Sequence, residues 1–203
     1  CWNTATKKLV LVGELLPNIL QKELLEVLAN DPSIVVLTEK TSNLHHISFI
    51  DQIDTLITPF KEDESKAFQP DILLTFGGMV VSKRIKSFLR NYKPTHHWHV
   101  DTIRAYDTYG ALTKHFKTDS TTFLSAVLKH KTIESNYKAS LAALWKDRLA
   151  KQEQYTQSAP FSDFKVFDFI CKMLPKNSQL QVSNSSAIRY IQLFPLDPTI
   201  TVY

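Results

Sequence analysis

Runs of aliphatic residues alternate with segments of helical periodicity along the first half of the chain. The runs KLVLV, SIVVL and DILLTF contain almost no polar residue, which is typical of parallel strands that are covered on both faces. Residues 18–31 place their apolar side chains on one helical face, and residues 82–92 form a later helical segment. This alternation predicts an α/β fold with a doubly wound, mainly parallel sheet.

The remaining segments of the first half extend this pattern. Residues 45–60 are expected to be helical up to a break at Pro59. The charged residues of 61–71 are expected to form a loop. Residues 96–101 predict a fourth strand, and the weaker pattern of residues 112–119 predicts a short fifth strand.

The second half of the chain predicts helices followed by a small C-terminal unit. Residues 120–131 and 137–155 predict two helices, and the phenylalanines of residues 161–174 recur at the spacing of a third. A C-terminal strand-helix-strand extension is then predicted, at residues 180–184, 185–194 and 200–203.

The predicted domain organisation has three parts. Residues 1–131 form a central α/β domain, residues 132–159 a linker helix, and residues 160–203 the truncated start of a second α/β domain, which is too small to enclose a core alone. The chain begins with Cys1 and ends inside a predicted strand. We therefore expect it to be part of a longer polypeptide.

The composition argues against a membrane protein, a disulfide-rich secreted protein and a nucleic-acid-binding protein. No apolar run approaches the roughly 18 residues of a membrane-spanning helix, so no membrane span is expected. Two cysteines, Cys1 and Cys171, lack the spacing of a disulfide framework or a metal site, which favours the reducing cytoplasm. The net charge is only +4 and the lysines are spread along the chain, whereas a nucleic-acid site would cluster them.

Several candidate residues follow the predicted strands, where ligands of open α/β sheets bind. The chain has only four glycines and no GxGxxG or phosphate-binding loop, so a dinucleotide site is not expected. Glu39 could act as a general acid or base, although a solvated loop carboxylate is the more frequent outcome. Gly77 and Gly78 would let the backbone approach a ligand or a neighbouring domain closely.

Histidines suggest a metal site that the sequence does not complete. In an extended strand His97, His99 and Asp101 would point to one side. A metal site normally adds ligands from other elements, and none is evident, so packed or surface histidines are favoured. No GxSxG motif is present, and Cys171 is expected to be a packed small hydrophobic residue.

Two groups of basic residues are candidates for binding an anion. Ser82 is expected to cap a helix, which places Lys83 and Arg84 in its first turn, against the helix dipole. They are either solvated charges or part of a carboxylate or phosphate site. Ser185 and Arg189 would lie on one face at the start of another helix, where a cation is best explained by an anion bound between the two residues.

Three stretches of the sequence resemble one enzyme family. The segments PDILLTFGGMVVSKRIKSFL, HHWHVD and SNSSAIR are similar to the thiamine-diphosphate-dependent 2-succinyl-5-enolpyruvyl-6-hydroxy-3-cyclohexene-1-carboxylate synthases of menaquinone biosynthesis. The resemblance covers nearly the whole chain, as the Rossmann-like central domain plus the start of the diphosphate-binding domain. The chain departs from the family pattern at Ser183, where glycine is usual, and at Tyr190, where aspartate is frequent.

The resemblance implies an activity for the parent enzyme. It would decarboxylate 2-oxoglutarate with thiamine diphosphate and Mg²⁺ or Mn²⁺, and would add the succinyl carbanion equivalent to isochorismate. The family implies a cytoplasmic homo-oligomer, a dimer or a tetramer. The motifs that bind and activate the cofactor would lie outside this chain, so the chain alone is expected to be inactive and to hold no cofactor.

The resemblance also implies roles for individual residues. Ser185 and Arg189 correspond to residues that contact a substrate carboxylate, and Lys83 and Arg84 to basic residues at the edge of the active site. Asn184 corresponds to a residue that contacts the cofactor. No catalytic residue and no metal ligand is expected within the chain.

Other interpretations remain open. The sheet also suits a free-standing nucleotide-binding regulatory domain, and the isoelectric point near 8.9 suits a module that binds nucleic acid or another polyanion. For Arg189 alone, the structural alternative is an ion pair with a nearby acid such as Asp197.

Overall fold

A five-stranded parallel sheet forms the centre of the protein in the computed structural model, which describes residues 1–129 and 132–203. The strands pair in the order β2-β1-β3-β4-β5, and every neighbouring pair is parallel. The predicted parallel α/β sheet, including its short fifth strand, is confirmed. The strands are β1 Lys8–Val12, β2 Ile34–Thr38, β3 Ile72–Phe76, β4 His96–Val100 and β5 Leu112–Phe116.

Helices follow most of the strands and continue after the sheet. The predicted domain boundary at residue 131, and the end of the helix predicted before it, lie outside the described residues. In the part of the chain that the structure describes, the helices are α1 Lys22–Asn30, α2 Ile53–Ile57, α3 Glu62–Phe68, α4 Lys83–Asn91, α5 Ser120–Val127, α6 Tyr137–Ser158, α7 Asp163–Met173 and α8 Ser186–Ile191.

Both faces of the sheet are covered, as the unbroken aliphatic runs require. Successive residues of β1 point to opposite faces: Val10 and Val12 lie in one hydrophobic layer, and Leu9 and Leu11 in the other. Helices α1 and α5 cover the first layer. Helices α2, α3 and α4 and the beginning of α6 cover the second, where Tyr137 of α6 is buried. The fold is therefore a three-layer, doubly wound arrangement.

The prediction of one helix over residues 45–60 was wrong. Only Ile53–Ile57 is helical, because the preceding backbone joins the edge of the sheet. The Ile50 N–H donates to the Val36 carbonyl at 3.0 Å, and the Ile50 carbonyl accepts from the Thr38 N–H at 3.0 Å. Ile50 thus pairs with the outer edge of β2 and does not make the hydrogen bonds of a helix.

The prediction of a charged loop over residues 61–71 was also wrong, since these residues contain α3. Three acidic residues occupy its first turn, where they stabilise the positive end of the helix dipole. One of them, Glu64, accepts the Lys61 N–H at 2.8 Å. Phe68 at the other end is buried in the second hydrophobic layer. Acidic residues at its start and a buried aromatic side chain at its end both favour this short helix.

The C-terminal unit contains a small cluster of buried residues. Cys171, Ile191 and Phe194 are buried together, and burial raises the pKa of the Cys171 thiol to about 11. Its predicted role as a packed hydrophobic residue is confirmed, whereas Phe161 is 90% exposed. The flanking strands β6 Gln179–Leu180 and β7 Thr201–Val202 pair in parallel.

The loops after β1 and β3 touch each other where glycines remove the side chains. A Cβ atom on Gly13 would lie 2.2 Å from the Gly78 carbonyl oxygen, and one on Gly77 would lie 2.8 Å from the Glu14 carbonyl oxygen. Gly77 also has a φ of 82°, which favours glycine. The close approach expected at Gly77 and Gly78 is thus an approach to the loop after β1.

Replacing Gly77 by alanine should lower the free energy of unfolding by about 2 to 4 kcal/mol, because the new Cβ adds a backbone clash to the strain of a positive φ. The matched control is Gly110→Ala, where φ is also positive, at 65°, but the new Cβ would meet only the Lys93 side chain, at 3.5 Å. Its loss should be about 1 kcal/mol. Urea unfolding measures both, and equal losses would contradict the packing argument.

Candidate functional site

An open cleft of about 780 Å³ lies between the C-terminal helices and the central domain. Arg84 at the start of α4 and Arg189 of α8 both line it. A neighbouring cleft of about 740 Å³ is lined by the same two arginines and by Lys83. The structure therefore brings together three of the basic residues that the sequence singled out, although they come from two separate parts of the chain.

The charges of Arg84 and Arg189 are not paired with an acid in the part of the chain that the structure describes. Within residues 1–129 and 132–203, neither Arg84 nor Arg189 has a carboxylate within ion-pair distance. Asp197 instead pairs with Lys176 at 3.6 Å, so the structural alternative for Arg189 is not observed. Among the described residues that line the two clefts, Asp54 is the one carboxylate. The clefts are consequently suited to an anionic ligand.

Two further cations of the first cleft are already paired. Arg148 of α6 lies 2.8 Å from the Glu64 carboxylate. Lys151, also on α6, lies 2.8 Å from the carboxylate of Asp147. Arg84 and Arg189, which form no ion pair with a described residue, are therefore more available to a ligand than these two cations.

Ser82 positions the first of these arginines. Its hydroxyl oxygen accepts the Ile85 N–H at 3.1 Å, so the predicted cap of α4 is confirmed. The same hydroxyl donates to Asp54 of α2. Lys83 and Arg84 follow the cap directly and are exposed. The start of α4 is thus held in place while its two cations face outward.

Helix α8 is shorter than the helix predicted for residues 185–194. It ends at Ile191 rather than at residue 194, and Arg189 lies in its last turn, where the helix dipole favours a cation. The expectation that Arg189 stands near the positive end of the dipole, where a bound anion best explains a cation, was therefore wrong. What favours an anion at Arg189 is the basic cleft that it shares with Arg84.

Ser185 has a strained backbone immediately before α8. Its φ is 76°, and a residue other than glycine in such a region costs about 1 to 3 kcal/mol, as is often found at functional sites. Its N–H donates to the Asn184 side-chain oxygen at 2.7 Å, and its own hydroxyl forms no cap in α8. Ser185 and Asn184 are exposed, and neither is among the residues that line the two clefts.

Glu39 forms hydrogen bonds next to both helices that carry the unpaired arginines, α4 and α8. It is only 1% exposed, so the expectation of a solvated loop carboxylate was wrong. One oxygen accepts the Ser82 N–H at 3.0 Å, and the other accepts the side-chain amide of Gln192. Burial raises the pKa of Glu39 to about 7. Its position after a buried strand was the sequence signal, but its partners lie far away in the chain.

The histidines of β4 hydrogen-bond to a threonine. The Thr75 hydroxyl lies 2.8 Å from a ring nitrogen of His97 and 2.8 Å from one of His99. Burial lowers the pKa of His97 to about 4. Both rings and Asp101 line a separate cavity of about 330 Å³ beyond the carboxyl ends of the strands. Groups of three or more histidine, cysteine, aspartate or glutamate residues suited to a metal ion do not occur among the residues described.

The longest helix of the described residues is α6, with 22 residues. Even the longest, α6, is not apolar enough to cross a bilayer, and the same is true of the other helices in the described ranges.

Proteins similar to this chain are thiamine-dependent synthases. A family model described as "Middle domain of thiamine pyrophosphate" matches residues 2–182. The 2-succinyl-5-enolpyruvyl-6-hydroxy-3-cyclohexene-1-carboxylate synthase of Flavobacterium johnsoniae is 53% identical over 204 residues, which are 100% of this chain and 37% of that protein. The chain belongs to the family of thiamine pyrophosphate middle domains, whose model spans most of its length.

Two further synthases of this name are similar to the chain over its whole length. The synthase of Flavobacterium psychrophilum is 53% identical over 100% of this chain and 37% of its own length. That of Christiangramia forsetii is 49% identical over 100% of this chain and 36% of its own length. The resemblance inferred from the motifs is confirmed, and the chain spans little more than a third of these synthases. Lys83 and Arg84 lie inside the matched middle domain, and Arg189 follows it.

Acidification should destabilise the chain through His97. Its pKa is about 4 in the folded chain and about 6.5 in an unfolded one. The unfolded chain therefore takes up a proton first, and stability should fall by about 2 kcal/mol between pH 7 and pH 5. In His97→Gln this part of the pH dependence of urea unfolding should disappear.

The control for this prediction is the same substitution at His96, the half-buried neighbour on β4. An equal change of the pH dependence in both variants would contradict the assignment to the burial of His97.

Proposed function

We propose that the protein of which this chain is a part decarboxylates 2-oxoglutarate and transfers the succinyl group to isochorismate in menaquinone biosynthesis. The observation that carries the proposal is the identity of 53% with a synthase of that name along the entire chain. The basic clefts are consistent with it, because 2-oxoglutarate and isochorismate are both dicarboxylates.

The proposed role of this chain is to bind substrate carboxylates. Arg189 presents a planar guanidinium that can form two parallel hydrogen bonds to one carboxylate, and we assign it, with the Ser185 hydroxyl, to the distal carboxylate of the succinyl group. Lys83 and Arg84 supply positive charge at the edge of the site. The exposure of all four residues leaves their polar groups free to meet a ligand.

The cofactor assigned to the parent enzyme is thiamine diphosphate with Mg²⁺ or Mn²⁺. When bound, thiamine diphosphate supplies the electron sink for decarboxylation. Asn184 fits one polar contact to it, since its side-chain oxygen accepts from Ser185 and its amide N–H groups remain on an exposed turn. The other contacts would come from the remaining length of the synthase. We further propose a cytoplasmic homo-oligomer.

Replacing Arg189 by alanine in the full-length enzyme should lower kcat/KM for 2-oxoglutarate by about 30- to 1,000-fold, or about 2 to 4 kcal/mol, because a charge-assisted contact with the substrate is lost. The melting temperature should stay nearly unchanged, since Arg189 is exposed. Steady-state kinetics and calorimetric melting measure the two effects.

The control for this variant is Arg104→Ala, which removes an exposed guanidinium from the loop after β4. If Arg189→Ala melted early but kept wild-type kinetics when folded, Arg189 would have a structural role and the substrate assignment would fail.

The 203-residue chain alone should neither bind thiamine diphosphate tightly nor release carbon dioxide from 2-oxoglutarate, because it spans 37% of the related synthase and offers the cofactor little besides Asn184. Titration calorimetry with thiamine diphosphate and Mg²⁺ tests the first part, with the full-length enzyme as the positive control. Tight, Mg²⁺-dependent binding to the isolated chain would refute this prediction.

A further inference from the structure

Helices α4 and α8, which carry Arg84 and Arg189, each have a flanking residue that donates a hydrogen bond to the buried carboxylate of Glu39. On one side, the Ser82 N–H donates to Glu39 at 3.0 Å, and Ser82 directly precedes Lys83 and Arg84. On the other side, the Gln192 amide donates to the second oxygen of Glu39. Gln192 lies three residues after Arg189, at the C-terminal end of α8.

Gln192 has no freedom to turn its amide around. It is only 7% exposed, and its side-chain oxygen accepts the Lys40 N–H at 3.0 Å while its nitrogen donates to Glu39. A rotation by 180° would place its nitrogen against the Lys40 N–H and its oxygen against the carboxylate. The contact therefore fixes the orientation of the end of α8 relative to β2.

We propose that Glu39 is a positioning residue that sets the placement of Arg189 relative to Arg84, and thereby the affinity of the enzyme for its dicarboxylate substrate. This inference rests on the proposed function. Its physical basis is that a carboxylate offers acceptor oxygens to two donors from different parts of the chain. An apolar residue would leave the Ser82 N–H and the Gln192 amide buried without partners.

The carboxylate also responds to pH. Burial and, to a smaller extent, Asp54 of α2 raise its pKa to about 7, although the backbone N–H groups of Ser82 and Val81 and the charge of Lys86 lower it. Tyr109, in the loop after β4, is coupled to the same charge, and burial raises the pKa of its hydroxyl. Below pH 7 Glu39 takes up a proton. One of its oxygens then carries an O–H donor that faces an N–H donor of Ser82 or Gln192, so one hydrogen bond is lost. The KM for 2-oxoglutarate should consequently rise as pH falls through about 7.

The test is a pair of variants of the full-length enzyme. Glu39→Gln alone brings two amide nitrogens face to face, and turning the Gln192 amide only moves the conflict to the Lys40 N–H. Combining Glu39→Gln with Gln192→Glu restores every hydrogen bond, because the new amide at position 39 donates to the new carboxylate at position 192, which still accepts from Lys40. The charge is moved, but the geometry is kept.

The single variant should raise KM for 2-oxoglutarate about tenfold at pH 8, since displacements of about 1 Å have effects of this order or larger. Its KM should also lose the inflection near pH 7. The double variant should return KM to within about threefold of the wild type. The matched control is Glu153→Gln, which replaces an exposed carboxylate on α6 by an amide. It should change neither KM nor its pH dependence.

Two results would overturn the positioning role. One is a folded Glu39→Gln enzyme with wild-type KM and an unchanged pH profile. The other is a folded double variant whose KM stays as high as that of the single variant. If the single variant does not fold, a double variant that folds with near wild-type KM supports the inference, and failure of the double variant to fold counts against it.

Arg189→Ala, measured in parallel, separates this inference from the proposed function. If Arg189→Ala loses substrate affinity but Glu39→Gln does not, the positioning role of Glu39 is refuted and the proposed function is kept. Wild-type kinetics in Arg189→Ala would remove the assignment of the cleft to the substrate.

Discussion

The carboxylate of Glu39 lies where the end of β2, the residue before α4 and the end of α8 meet, and it is almost completely removed from water. A buried carboxylate is unfavourable unless hydrogen-bond donors surround it. The donors are the Ser82 backbone and the Gln192 side chain, which Lys40 holds in turn. Hydrogen bonds are directional, so this contact fixes an orientation that apolar packing alone would leave less defined.

The loops after β1 and β3 pack closely together, and the basic clefts lie between helices rather than in the crevice beyond the strands. Gly13, Gly77 and Gly78 bring the loops after β1 and β3 into contact, at the point where doubly wound sheets of this strand order usually bind ligands. The cavity that remains beside them, of about 330 Å³, is lined by His97 and His99. The arginines without acid partners are found instead on the two helices that Glu39 connects.

Arg189 shows how a change in helix length alters an electrostatic argument. In a helix over residues 185–194 it would stand near the positive end of the dipole. In the observed helix Ser186–Ile191 it stands in the last turn, where a cation is favourable by itself. The proposed carboxylate contact therefore depends on the shared cleft, on the lack of an acid partner among the described residues and on the similarity of the chain to the synthases.

Local pattern alone was enough to predict the strands of the sheet, their parallel arrangement and the cap at Ser82, because side-chain periodicity and capping involve residues close together in sequence. The basic residues and the family were also evident from motifs. Tertiary structure decided the rest: Ile50 paired with a sheet edge, Glu39 was buried, and Arg84 came to share a cleft with Arg189. Edge pairing, desolvation and convergence of charges each depend on groups that are distant in the chain and meet only when it folds.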